Sequence, residues 1–183
     1  MGIAVFLLCK GLILTFYSFR DNFLRLCLIV IDNISKVLRI VFQSIYCQKT
    51  GNPWDSSNGP QLCSEILNRN IKLHLDQVVR LCNGDQQEWD VTLLCYVLLN
   101  SCWTRTLVNR KAVEKLRDIR NKCFAHPSKA GISKDDLYRI VEEVSKAYSD
   151  LLDGIIARKE KERLIHSMRA IEEGVVCIKF ITY

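Results

Sequence analysis

Arg120 and Asn121, followed at position 126 by a histidine, place a guanidinium, a carboxamide and an imidazole near the end of one helical run. That set can handle phosphate. An arginine offers a rigid donor fork to charge developing on phosphoryl oxygens. A histidine, ordinarily titrating near neutrality, can take the proton of an RNA 2′-hydroxyl or deliver one to a leaving 5′-oxygen. Asn121 can fix the imidazole tautomer or bind phosphate itself. A second acid or base is missing, and a two-fold dimer pairing these helices would supply it and double the positive charge in the cleft. The other reading is structural. In it Arg120 pairs with Glu114, Asp118 or a neighbouring helix, Asn121 ties down the turn, and His126 closes the helix end.

The positioning element is an amphipathic helix expected over residues 109–124, with Val113, Leu116, Ile119 (or Arg120) and Cys123 as its inner stripe. A six-residue step along an unbroken helix separates Arg120 from His126 by about 120° around the axis. Pro127 disfavours helical geometry at His126, so the last turn can loosen and bring the imidazole back. A turn at Gly131 precedes Ser133, which with Asp136 forms a capping box. The following helix carries Leu137, Ile140, Val141, Val144, Tyr148, Leu151, Leu152 and Ile155 as a regular buried stripe.

The remaining elements also read as helices. Asp21 or Asn22 is the expected cap of a long helix to about residue 46, apolar on nearly all sides from Leu26 to Ile31, with a polar face defined only later by Asp32, Ser35, Lys36, Arg39 and Gln43. Such a helix is central, or covered by a second subunit. Residues 48–60, with Gly51, Pro53, Gly59 and Pro60, spell an ordered loop anchored by Trp54. Helices are expected at 61–67, at 71–82 and, capped by Asp90, at 92–102. Residues 158–169 form a charge-dense helix expected at the surface, and 175–183 an apolar, strand-like tail. With no alternating pattern elsewhere, the fold class is an all-α bundle. Its expected organisation is an apolar N-terminal segment (1–20), a helical domain (21–157) and a charged extension with a tail (158–183).

Composition narrows the functions. Twenty-six basic against 20 acidic residues leave a net charge of +6, which permits nucleic acid or an anionic surface as partner without demanding either. Nine cysteines, an odd number with no Cys-x-x-Cys pair, read as free, mostly buried thiols of a reducing compartment, the cytoplasm, rather than disulfides or a zinc site. No metal or cofactor is implied, and there is no glycine-rich phosphate loop. His74 and His166 read as structural. Residues 3–19 are apolar but broken by Lys10, so a membrane partner is not expected. The glycosylation sequence Asn33-Ile34-Ser35 lies inside an apolar helix and reads as chance.

At Arg120, Asn121 and His126 the chain resembles the HEPN superfamily (higher eukaryotes and prokaryotes nucleotide-binding), whose signature is an arginine, a polar residue, several intervening positions and a histidine. The branch it looks most like is found beside the RING domain of the DAZ-interacting zinc-finger ubiquitin ligase and in many animal innate-immune-type proteins. Asn22-Phe-Leu-Arg-Leu26, Asp32, Val37-Leu-Arg39, Trp54, Leu67-Asn68, Asp90-Val-Thr-Leu-Leu94 and Gly131-Ile-Ser133 carry the same likeness, which covers about residues 22–152.

The resemblance implies a HEPN-like all-α bundle, commonly a homodimer. Active members are metal-independent endoribonucleases with the arginine and histidine of both subunits in one cleft. On that reading Arg120, Asn121 and His126 are catalytic, Arg117, Lys122 and Lys129 contact single-stranded RNA, and a 2′-hydroxyl attack leaves a cyclic phosphate. Other members have lost catalysis, so the alternative is a dimerisation or adaptor module that binds partner proteins in stress or innate-immune signalling.

Overall fold

The computed structural model describes residues 20–69, 71–124 and 131–174; among these every regular element is helical and none is a strand. The expectations about residues 1–19, the strand-like tail, His126 and Lys129 lie outside the described residues. Helix α1 spans residues 20–50 in three parts: an α-helical start, a π turn at Leu28–Asn33, and an α-helix over Ile34–Thr50. Six helices follow: α2 (Gly59–Leu67), α3 (Leu75–Asn83), α4 (Val91–Asn100), α5 (Arg110–Phe124), α6 (Lys134–Leu152) and α7 (Arg158–Glu172).

Helix α1 is the axis of the bundle. Ile34, Val37, Leu38, Val41, Phe42, Ile45 and Tyr46 recur at three- and four-residue steps and are all buried. That stripe meets α4 and α6, while the π turn meets α5 and α7. Burying a side chain of this size contributes about 1.5–3 kcal/mol, so α1 collects more of the bundle's apolar gain than any other single helix. The helix ends where Gly51 adopts a left-handed φ of 74° and donates its N–H to the Cys47 carbonyl at 2.8 Å.

The π turn has a buried polar anchor. The Tyr148 hydroxyl of α6 donates to the Asn33 side-chain oxygen at 3.0 Å, and burial raises the Tyr148 pKa, which keeps the phenol neutral. Asn33, at the chance glycosylation sequence, is therefore a core residue. Ile31 ends the run expected to be covered on nearly all sides. It is instead 54% exposed, because the wider π turn carries it to the outer side. Asp21 and Asn22 do not cap α1, since the chain is already helical at residue 20; Asn22 is buried and donates to the Ile132 carbonyl.

An aromatic cluster closes one side of the bundle. Trp89 is fully buried, with its ring 5.5 Å from Phe42 and 5.8 Å from Trp54, both edge-on. Trp54 anchors its loop as expected, edge-on to Tyr46 and Trp103 as well, with its indole N–H on the Gly84 carbonyl at 2.9 Å. The α2 and α3 pair packs beside this cluster.

Helix α1 runs on to Thr50 rather than about 46 and α4 stops at Asn100 rather than 102, and three helix starts differ from expectation for local reasons. Helix α2 begins two residues early, with Pro60 in its first turn, where a missing N–H costs nothing. Helix α3 begins at Leu75 rather than near 71, since the His74 N–H is satisfied by the Gln77 side chain at 3.1 Å, marking His74 as the cap. Helix α4 starts at Val91, with Asp90 accepting from the Leu93 N–H at 2.8 Å as expected. Ser133 likewise accepts from the Asp136 N–H at 3.0 Å at the start of α6. The charge-dense helix α7 is docked rather than loose. Leu164 and Met168 are buried against the bundle, Arg169 pairs with Glu142 at 2.9 Å, and Arg25 donates to the Glu172 carbonyl at 2.7 Å.

Gly84 ends α3 with a φ of 71°, and a methyl group there would collide with the Ser56 backbone. Gly84→Ala therefore combines left-handed strain with a backbone clash. It is expected to cost roughly 2 kcal/mol or more, read as a lower urea midpoint at unchanged slope.

Candidate functional site

Helix α5 buries Val113, Leu116 and Ile119 against the core, and Arg120, the residue after Ile119, is half-exposed at the edge of the packing. Arg120 and Phe124 form one wall of an open groove of about 560 Å³. The floor is the π turn, through Val30, Ile31 and Asp32, and the far wall is the segment 87–91 that leads into α4. Phe124 is held by Phe23 of α1, with ring centroids 6.4 Å apart.

Three arginines reach this groove, and their partners separate them. Arg39 is committed to structure. Its Nε donates to the Gln86 carbonyl at 2.7 Å and its Nη2 to the Gln87 and Trp89 carbonyls at 3.1 Å each. Burial pulls the Arg39 pKa down, against the opposing pull of Asp32 and Asp85, but a guanidinium so far above neutrality stays charged. Arg80 donates to the Glu88 carbonyl at 3.3 Å and stands 3.9 Å from Asp76. Arg120 has no ion pair among the described residues; its one hydrogen bond, at 3.4 Å, goes to the side chain of adjacent Asn121. Glu114, offered as its structural partner, pairs with Arg110 at 2.9 Å instead. Asp32, Glu88 and Asp90 also line the groove, so its charge is balanced in sum and the unpaired cation is local.

The other residues singled out from the sequence do not share this groove. Asn121 and Lys122 are exposed but turn away from it, as positions about 100° and 200° further around the helix must. Lys122 faces α6, where the Glu143 carboxyl is held below its usual pKa first by a hydrogen bond from Lys115 and also by the charges of Lys122 and Arg139. Arg117 lies one turn before Arg120 and is half-buried. Beneath Arg117 and Arg120 sits Cys95 of α4, whose thiol is pushed up to about 12, chiefly by burial. It is a neutral core group and not a nucleophile. Of the seven described cysteines Cys63 and Cys95 are buried, Cys27, Cys82 and Cys123 half-buried, and Cys47 and Cys102 exposed, so fewer are interior than expected.

Sequence reasoning did not nominate Asp32, Arg39, Arg80 or Asp90 for the site. Asp32 and Arg39 stand seven residues apart on the polar side of α1, which is a two-turn repeat and the one local signal available. No helix of the described residues is long and apolar enough to cross a membrane. Comparison of the chain with protein-family models, with curated proteins and with solved structures finds no match.

The hydrogen bonds sort the arginines into testable roles. Arg39→Ala removes three charge-assisted bonds and orphans partly buried carbonyls, and is expected to lose about 2–4 kcal/mol of stability. Arg120→Ala should remain within roughly 0.5 kcal/mol of wild type in the same urea titration. Comparable losses for the two would place Arg120 in the scaffold rather than at a site.

Proposed function

We propose that the protein is a HEPN-type RNA-binding domain, acting on single-stranded RNA as a metal-independent endoribonuclease through Arg120, Asn121 and His126. The observation that supports this reading is Arg120 itself: a half-exposed guanidinium on a groove wall, without an ion-pair partner among the described residues, on the helix that leads to His126. Arg39, the structural arginine of the same groove, instead donates to three backbone carbonyls. A cation kept unpaired next to an open groove suits a phosphate that arrives from outside.

In this reading two copies bring their α5 ends together, so that two imidazoles and two guanidinium groups share a cleft. One His126 accepts the 2′-hydroxyl proton as that oxygen attacks phosphorus, and the other protonates the departing 5′-oxygen. Arg120 holds the phosphoryl oxygens as their charge grows. The products are a 2′,3′-cyclic phosphate and a 5′-hydroxyl. Asp32, Glu88 and Asp90 repel further phosphates, so each protomer makes few backbone contacts. Lys122, turned toward α6, serves at most at the rim, while Arg117 extends the cationic edge by one turn.

The adaptor reading has its own observation. Leu75 is 80% exposed and Val79, one turn on along α3, is 51% exposed, an apolar pair with no cover among the described residues. A dimerisation or signalling module would bury such a pair in a partner.

Cleavage of labelled single-stranded RNA in EDTA decides between them. Wild type is expected to release cyclic-phosphate ends, with His126→Ala and Arg120→Ala each at least a hundredfold slower at matched dimer content. In binding, Arg120→Ala should make the slope of log K against log salt shallower by about 0.7. Folded, dimeric wild type that neither cuts nor binds RNA would leave the adaptor reading.

A further inference from the structure

The groove beside Arg120 does not end at the segment 87–91. Gln87 also lines a second depression of about 330 Å³, whose other residues include Gln43, Trp54, Ser56 and Asn83. Gln43 and Trp54 in turn line a third, of about 520 Å³, bounded by Cys47 and Pro53. The three depressions thus follow one another across the surface, joined first through Gln87 and then through Gln43 and Trp54. Their chemistry changes along the way. The first holds three arginines and three carboxylates; the second has one charged lining residue, Asp85, and the third has none.

Resting on the RNA reading above, we infer that the Trp54–Gln43–Gln87 surface is a base-binding subsite for single-stranded RNA whose backbone passes Arg120. Trp54 is half-buried, packed edge-on against Phe42, Tyr46, Trp89 and Trp103 and fixed by its bond to the Gly84 carbonyl. An indole held this rigidly offers a pre-set stacking surface, and every base has a face to stack on it. Carboxamides reach base edges as donor and acceptor together. Gln43 and Gln87 are exposed beside the indole. Gln86, only 4% exposed, lines the same depression with neither its amide oxygen nor its nitrogen hydrogen-bonded. An amide-rich surface around an indole, with Asp85 as its one charge, suits a base rather than a phosphate, and the unpaired Arg120 next door suits the reverse.

The test compares a short oligouridylate with an oligonucleotide of the same backbone length lacking bases, on the full chain. Wild type is expected to prefer the base-bearing strand about tenfold or more. Short-wave ultraviolet crosslinking should then map to the peptide holding Trp54. Gln43→Ala with Gln87→Ala changes only exposed side chains, and should lower that preference several-fold while leaving the salt slope unchanged; Trp54→Phe should lower it too. Equal affinity for both strands, or crosslinks confined to α5, would overturn the subsite and leave RNA binding at Arg120 standing. Failure to bind either strand would overturn both.

Discussion

The guanidinium of Arg39 ties the segment 86–89 to the central helix. It leaves the outer side of the central helix and gathers the carbonyls of Gln86, Gln87 and Trp89, so a segment with little helical hydrogen bonding of its own is held against α1. Everything near the groove follows from that attachment. Trp89 is carried into the core, where its indole N–H reaches the Arg80 carbonyl and its ring meets Phe42. Asp90 is delivered to the start of α4, and Gln87 is left between the first depression and the second. A lysine at position 39 would keep the charge but not the planar fork that spans three acceptors.

The π turn is the second constraint. Six residues wound more loosely than an α-helix change which side of α1 faces inward, so Ile29, Val30 and Asn33 are buried while Ile31 and Asp32 face out. A polar residue at the middle of the core would be costly alone, and the Tyr148 hydroxyl removes that cost by donating to Asn33. The exchange opens a floor for the groove where a straight helix would have continued the core stripe. The groove and the buried Asn33–Tyr148 bond are in this sense one feature seen from outside and inside.

Much of the bundle was legible in the sequence, because helices that bury one face write that face at three- and four-residue steps. Val113, Leu116 and Ile119, or Leu137 through Leu152, need no tertiary information, and Ser133 and Asp90 announce the helix starts they cap. The π turn was not legible, since the apolar run Leu26–Ile31 that leads through its first four residues shows no period by which to detect a looser winding. Nor was the late start of α3, because His74 caps through its backbone and Gln77 rather than through a typical capping side chain. The site was half legible. Arg120 could be named from its neighbours Asn121 and His126, but the groove it faces is assembled from residues 30–39, 80, 87–91 and 120–124, and only packing brings these together. The commitment of Arg39 to backbone carbonyls, against the unpaired state of Arg120, was invisible to residue type alone.

In the proposed function, RNA lies along the groove between the π turn, the segment 87–91 and α5. Hydrogen–deuterium exchange of the full chain, with and without saturating single-stranded RNA, tests it most directly, because it reports where the strand sits whether or not it is cut. Slowed exchange is expected to concentrate in residues 86–90 and 117–124, with α3 around Leu75 and Val79 unaffected by RNA at constant oligomeric state. Protection confined to α3, or none anywhere under conditions where RNA is bound, would contradict it.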